Sequence, residues 1–144
     1  MMQATRTHRV LLVLSGLLAT VIGGALLLTP QAFYATNGIV LGSDANLLSE
    51  VRAPGANLLA LGVLMFVGAF VAGLTRSATA VGALVYLSYG TGRLVSWALD
   101  GNPGDGLLVA MAIEIVMGML CLVTLLRTLP GCHWRHPHQT AEAL

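Results

Sequence analysis

Four long apolar runs, interrupted by a few isolated charges, set the pattern of this chain. The first extends from Val10 to Leu28 and stops at Thr29-Pro30; the others cover about residues 53–74, 78–99 and 107–126. Each is close to the ~20 residues that carry an α-helix across the hydrocarbon core of a bilayer. The pattern predicts an all-α membrane protein, a four-transmembrane-helix antiparallel bundle over residues 10–127, with an N-terminal segment 1–9 and a C-terminal tail 128–144. Arg6, His8 and Arg9 resemble the charged start of a signal peptide. The run after them is long and no small-x-small cleavage site follows it cleanly, so it is expected to remain as a membrane helix.

Punctuation between the runs predicts the connections. From Thr29 to Arg52 the chain reads as turns, with Asn37-Gly38, Gly42-Ser43-Asp44 and Asn46 as the markers. Pro54 suits the first turn of the second long helix, where its missing N–H is not needed. Asp100-Gly101-Asn102-Pro103-Gly104 is a short, strong turn that makes the third and fourth long helices antiparallel neighbours. Gly16, Ala19, Gly23, Ala56, Ala60, Ala69 and Gly73 recur at spacings of three, four and seven, which lets helix backbones approach closely in lipid.

Composition narrows the solvent and the partners. The chain has 144 residues, 56% of them hydrophobic and 9% charged, with mean hydropathy +0.83. A soluble core of that size cannot hide so much apolar surface, so the lipid bilayer is the expected partner. A formal net charge of +1 gives no basic field for nucleic acid. Charge placement predicts the orientation, because short loops rich in Arg stay in the cytoplasm. Arg6, Arg9, Arg76, Arg127 and Arg135 fall on one side, whereas Asp44, Glu50, Asp100 and Asp105 fall on the other with Arg52, so both termini are expected to be cytoplasmic. Trp97, Phe33 and Tyr34 suit the aromatic belt at the outer interface. Cys121 and Cys132 are read as reduced thiols.

Charges inside the runs carry the candidate chemistry, since an Arg or Glu in hydrocarbon needs a partner or water. Counted from the expected helix ends, Arg93 lies ~9 Å and Glu114 ~10 Å from the same face of the membrane. An Arg–carboxylate pair at that depth could mark a binding or transport path, or could serve only to fix the register of two helices. Tyr86, Tyr89, Gly90, Arg93, Ser96 and Asp100 share one polar stripe of their helix. Asn57 lies at comparable depth, one heptad from Glu50, and Glu50 with Arg52 would sit at headgroup level. The expected ligand-binding set is therefore Glu50, Arg52, Asn57, Tyr86, Tyr89, Arg93, Ser96 and Glu114. The tail Cys132-His133-Trp134-Arg135-His136-Pro137-His138 has metal-ligand residue types at close spacing, but on a Pro- and Gly-flanked terminus, and is not taken as a metal site. No nucleotide loop, HExxH, GxSxG or paired CxxC occurs, so no catalytic residue, metal or cofactor is expected.

Three groups of these residues carry a likeness to a known family: Leu48-Ser49-Glu50-Val51-Arg52-Ala53-Pro54-Gly55, then Gly90-Thr91-Gly92-Arg93-Leu94-Val95-Ser96 leading to Asp100-Gly101, and Glu114. Over about Val10 to Arg127 the chain resembles the bacterial family known as domain of unknown function 4345, small four-helix inner-membrane proteins. Where the family pattern continues with a second Gly after Gly55, this chain has Ala56. The resemblance implies the four-helix fold, residence in a bacterial inner membrane and the importance of Glu50, Arg52, Arg93 and Glu114. It implies no reaction.

From the residues, the leading expectation is a non-enzymatic multi-pass protein. Its outward-facing polar pocket would bind a lipid or other amphiphile, or a membrane-protein partner or second copy of the chain. Two other readings stay open: a transporter or channel subunit in which Arg93 and Glu114 exchange partners, and a membrane-embedded enzyme acting on a lipid with Glu114 or Glu50 as proton carrier. All four histidines lie in the terminal segments, which weakens the enzymatic reading.

Overall fold

The computed structural model describes residues 6–128 and is all-helical over that range. Five helices follow in order: α1 (Arg6–Leu28), α2 (Pro30–Ala35), α3 (Ala45–Gly68), α4 (Thr75–Asp100) and α5 (Asp105–Arg127). α1, α3 and α5 are long and apolar enough to cross a membrane. α4, with 26 residues, is the longest of the five, but its Tyr, Ser, Thr and Arg93 dilute its apolar content. The metal-ligand types at Cys132, His133, His136 and His138, together with Arg135 and Cys132 as a thiol, lie outside the described residues.

The connection between α1 and α3 is where the structure departs most from the sequence pattern. Thr29-Pro30 does not simply end the first helix; Pro30 starts α2, in the first-turn position where a proline costs no hydrogen bond. α3 begins at Ala45, not near residue 53, because the Asp44 side chain accepts a hydrogen bond from the Leu47 N–H at 2.9 Å and caps the first turn. Glu50 and Arg52 are therefore inside a helix, and Pro54 lies well within it instead of at its start. Proline there leaves the carbonyl of Glu50 without its usual helical donor. Only a short irregular segment remains, with Gly38 at φ 72°, a backbone conformation that glycine adopts without strain.

Close backbone approaches fix how the long helices pair. A Cβ placed on Gly16 would lie 2.5 Å from the backbone nitrogen of Phe66 and 2.9 Å from the carbonyl of Gly62, and one on Gly23 would run into the backbone of Leu59 and Gly55. Residues early in α1 thus meet residues late in α3, and the pair is antiparallel. α4 and α5 repeat the device: a Cβ on Gly118 would lie 2.9 Å from the backbone nitrogen of Leu87, and one on Gly90 would lie 2.8 Å from the Ile115 side chain. The bundle is two tight antiparallel hairpins, α1/α3 and α4/α5, which meet each other more sparsely.

Where the hairpins meet near the start of α1 and the end of α5, the interior is filled. Leu12, Ser15, Met65, Thr79 and Cys121 are fully buried there. Each hydroxyl finds a nearby acceptor: Ser15 donates to the Leu11 carbonyl at 2.8 Å, Thr79 to Thr75 at 2.7 Å, and Tyr86 reaches across from α4 to the Ser15 carbonyl of α1 at 2.6 Å. The Tyr86–Ser15 bond ties one hairpin to the other. At the same end, Arg9 donates through Nε to the Ala69 carbonyl at 3.3 Å beyond α3, with its guanidinium 5.8 Å over the Phe70 ring. The outer faces are apolar, with Val10, Leu14, Leu17 and Val21 of α1 and Val109, Val116 and Leu126 of α5 exposed as lipid-facing residues would be.

Two substitutions test this packing. Gly23→Ala should destabilise the protein by ~1–3 kcal/mol through overpacking against α3. Gly24→Ala, with nothing within 4 Å of its Cβ position, should be neutral or stabilising by up to ~1 kcal/mol; thermal unfolding in mild detergent compares the two. Tyr86→Phe should cost ~0.5–1.5 kcal/mol by removing the bond between hairpins while keeping the ring, read in the same assay.

Candidate functional site

Above the filled interior the two hairpins diverge, at the end of the bundle where α1 and α4 finish and α3 and α5 begin. They enclose a cavity of about 280 Å³. Leu18, Leu58 and Val85 form its deep walls and Tyr86 its base; Leu26, Val51 and Leu107 stand nearer the mouth. The inward positions of α3, Val51, Pro54 and Leu58, follow the three- and four-residue spacing of one helix face.

The cavity's charged residues are Arg93 and Glu114. Arg93 precedes the end of α4 at Asp100 by seven residues, ~10 Å along the helix axis. Glu114 follows the start of α5 by nine residues, ~13 Å. Gly90, one turn below Arg93, brings the α5 backbone close enough for the two side chains to meet. The Arg93 Nε–H is shared between both carboxylate oxygens, at 3.1 Å to Oε1 and 2.9 Å to Oε2. The pair is unevenly covered: the Glu114 side chain is 13% exposed and that of Arg93 33%. Nη1 and Nη2 of Arg93 donate to no described residue, so four of the five guanidinium N–H groups remain available.

Tyr86 and Tyr89 join Arg93 and Glu114 around the same cavity, Tyr86 buried and Tyr89 partly exposed. The remaining expected residues lie elsewhere. Ser96 donates to Asp100 at 2.9 Å on the exposed side of α4 and flanks a shallow groove on the other side of Arg93. Glu50 and Asn57 are exposed on α3 and do not line the cavity. Arg52 donates to the carbonyl of Leu27, one of the last four of α1 that lack helical partners, and so ties α3 to the end of α1. Depth along the helix was a sound guide for Arg93 and Glu114, but it says nothing of angular position, and Asn57 is on a different face from Leu58.

Residues the sequence reading missed close the mouth. Phe33 and Tyr34 of α2, with rings 6.1 Å apart edge to face, and Asn37 and Ile39 after it line the cavity. Asn37 reaches across to α5, where a Cβ on Gly106 would lie 2.8 Å from its Oδ1. The one signal for this cap was Thr29-Pro30, a helix start hidden in a segment that otherwise reads as turns. As for metal or cofactor ligands, Glu114 is engaged by Arg93, and no group of three His, Cys, Asp or Glu forms among the described residues.

No curated protein and no solved structure matches the chain. A family model does, over residues 7–125, which takes in all but the outermost residues of the long helices, the capping segment and the Arg93–Glu114 pair. The chain belongs to the family described as Domain of unknown function (DUF4345).

Proposed function

We propose that this is a four-span protein of a bacterial inner membrane, with both termini in the cytoplasm and an outward-facing cavity that binds an amphiphile without transforming it. Connectivity supports four spans. α3 and α5 run in the same direction, so the chain between them has to return across the bilayer, and α4 is the element that does so. The polar stripe that lowers its hydropathy contributes Tyr86, Tyr89 and Arg93 to the cavity lining. Orientation rests on charge: Arg6, Arg9, Arg76 and Arg127 gather at the filled end, and Asp44, Glu50, Asp100 and Asp105, with Arg52, at the cavity end.

The observation that carries the binding reading is an apolar cavity with the Arg93–Glu114 ion pair among its lining residues and the Arg93 Nη1 and Nη2 groups bonded to no described residue. Apolar walls with a few convergent polar groups are the usual make-up of a small-molecule site. The filled interior below Tyr86 favours holding a ligand over passing it to the other side. Glu114, shared with Arg93, is poorly placed to work as a free proton carrier, which favours binding over chemistry.

Mass spectrometry of the protein purified in mild detergent tests the reading. The wild type should retain a small amphiphile that both Ala110→Trp, which fills the cavity while keeping both charges, and Arg93→Ala lose. An identical set of retained molecules in the wild type and Ala110→Trp would overturn it.

A further inference from the structure

The ion pair also sets the charge and type of headgroup the cavity accepts. Arg93 is already neutralised by Glu114, and no other charged side chain lines the cavity. An anionic headgroup would bring a second negative charge to a guanidinium that has one partner, in surroundings too apolar to balance it. A cationic headgroup would meet a carboxylate whose charge Arg93 already balances, and so would also bring an uncompensated charge into apolar surroundings. An uncharged group with oxygen acceptors meets neither obstacle and satisfies the Nη1 and Nη2 donors. The apolar walls continue below Arg93 for seven residues of α4 to Tyr86, ~10 Å of depth for a hydrocarbon chain. A cavity of about 280 Å³ is a close match to a single hydrocarbon chain.

Resting on the binding reading above, we propose that the ligand is an uncharged, single-chain amphiphile whose ester or hydroxyl oxygens accept hydrogen bonds from Arg93 Nη1 and Nη2. Glu114 is then the selectivity residue: it keeps the site electrically neutral and so excludes anions that Arg93 alone would attract.

Binding of isotope-labelled 1-monolauroylglycerol, dodecyl phosphate and dodecyltrimethylammonium to the full chain in nanodiscs tests this, with Ala110→Trp giving the background of probe dissolved in lipid. The wild type should bind monolauroylglycerol about tenfold or more tighter than either ion. Glu114→Gln, similar in shape but leaving a net positive site, should gain about a hundredfold for dodecyl phosphate, enough to reverse a roughly tenfold order of those two probes. Should that variant not fold, Arg93→Gln/Glu114→Gln, neutral like the wild type, should lose about tenfold for monolauroylglycerol. A wild type that prefers dodecyl phosphate, a Glu114→Gln order unchanged, or a double variant at full affinity overturns the headgroup assignment while leaving the cavity as a binding site. Equal binding of every probe to the wild type and Ala110→Trp would overturn the binding reading itself.

Discussion

A guanidinium within an apolar helix cannot shed its proton and has to find an anion at its own depth. Here that requirement is met by one carboxylate on the next helix, and much of the architecture follows from the meeting. α4 and α5 have to be adjacent and antiparallel, with Arg93 and Glu114 at matching heights. Their backbones have to come close just below the pair, which Gly90 and Gly118 allow. The turn from Gly101 to Gly104, both at φ 93°, reverses the chain tightly enough to hold that register.

The second hairpin has the same kind of backbone contact but a different task. Gly16, Gly23, Gly55 and Gly62 bring α1 and α3 together along most of their length, and Arg52 ties α3 to the last carbonyls of α1. Two stiff hairpins that touch firmly at one end, through Leu12, Met65 and the Tyr86–Ser15 bond, leave a gap at the other. That gap is the cavity, and α2 with the residues after it roofs it. The polar pair therefore stands where packing is loosest, at the boundary between a filled half and an open one. A ligand-binding role needs this arrangement: an unbonded donor is tolerated where water or a ligand reaches it and is costly where neither does.

Sequence pattern made some of this legible and left some of it hidden, for reasons that differ by residue. Hydropathy located α1, α3 and α5 because each is long and apolar enough to cross a bilayer, and α4 because its polar residues leave most of its length apolar. The partnership of Arg93 with Glu114 was readable because in a medium without other anions depth and helix adjacency nearly determine the choice. Depth alone misplaced Asn57 and Glu50, whose helix face depends on how α3 rotates against α1. Arg52 was grouped with the pocket by its charge, whereas its guanidinium is drawn to the carbonyl end of α1. Pro54 was taken as a helix start, but the Asp44 cap upstream sets the beginning of α3, and the helix runs on through the proline. The roof formed by Phe33, Tyr34 and Asn37 was not legible, because a six-residue helix leaves too little periodicity to detect.

The pairing of Arg93 with Glu114 inside the membrane bears on every part of this picture, and a double-mutant cycle on unfolding stability in lipid measures it most directly. Arg93→Leu and Glu114→Leu should each destabilise the protein by ~3–5 kcal/mol, since each strands one charge. The double variant should cost far less than their sum, with a coupling energy of at least ~2 kcal/mol. Additive effects, with the double variant as unstable as the two singles combined, would contradict the claim that these two charges hold each other in place.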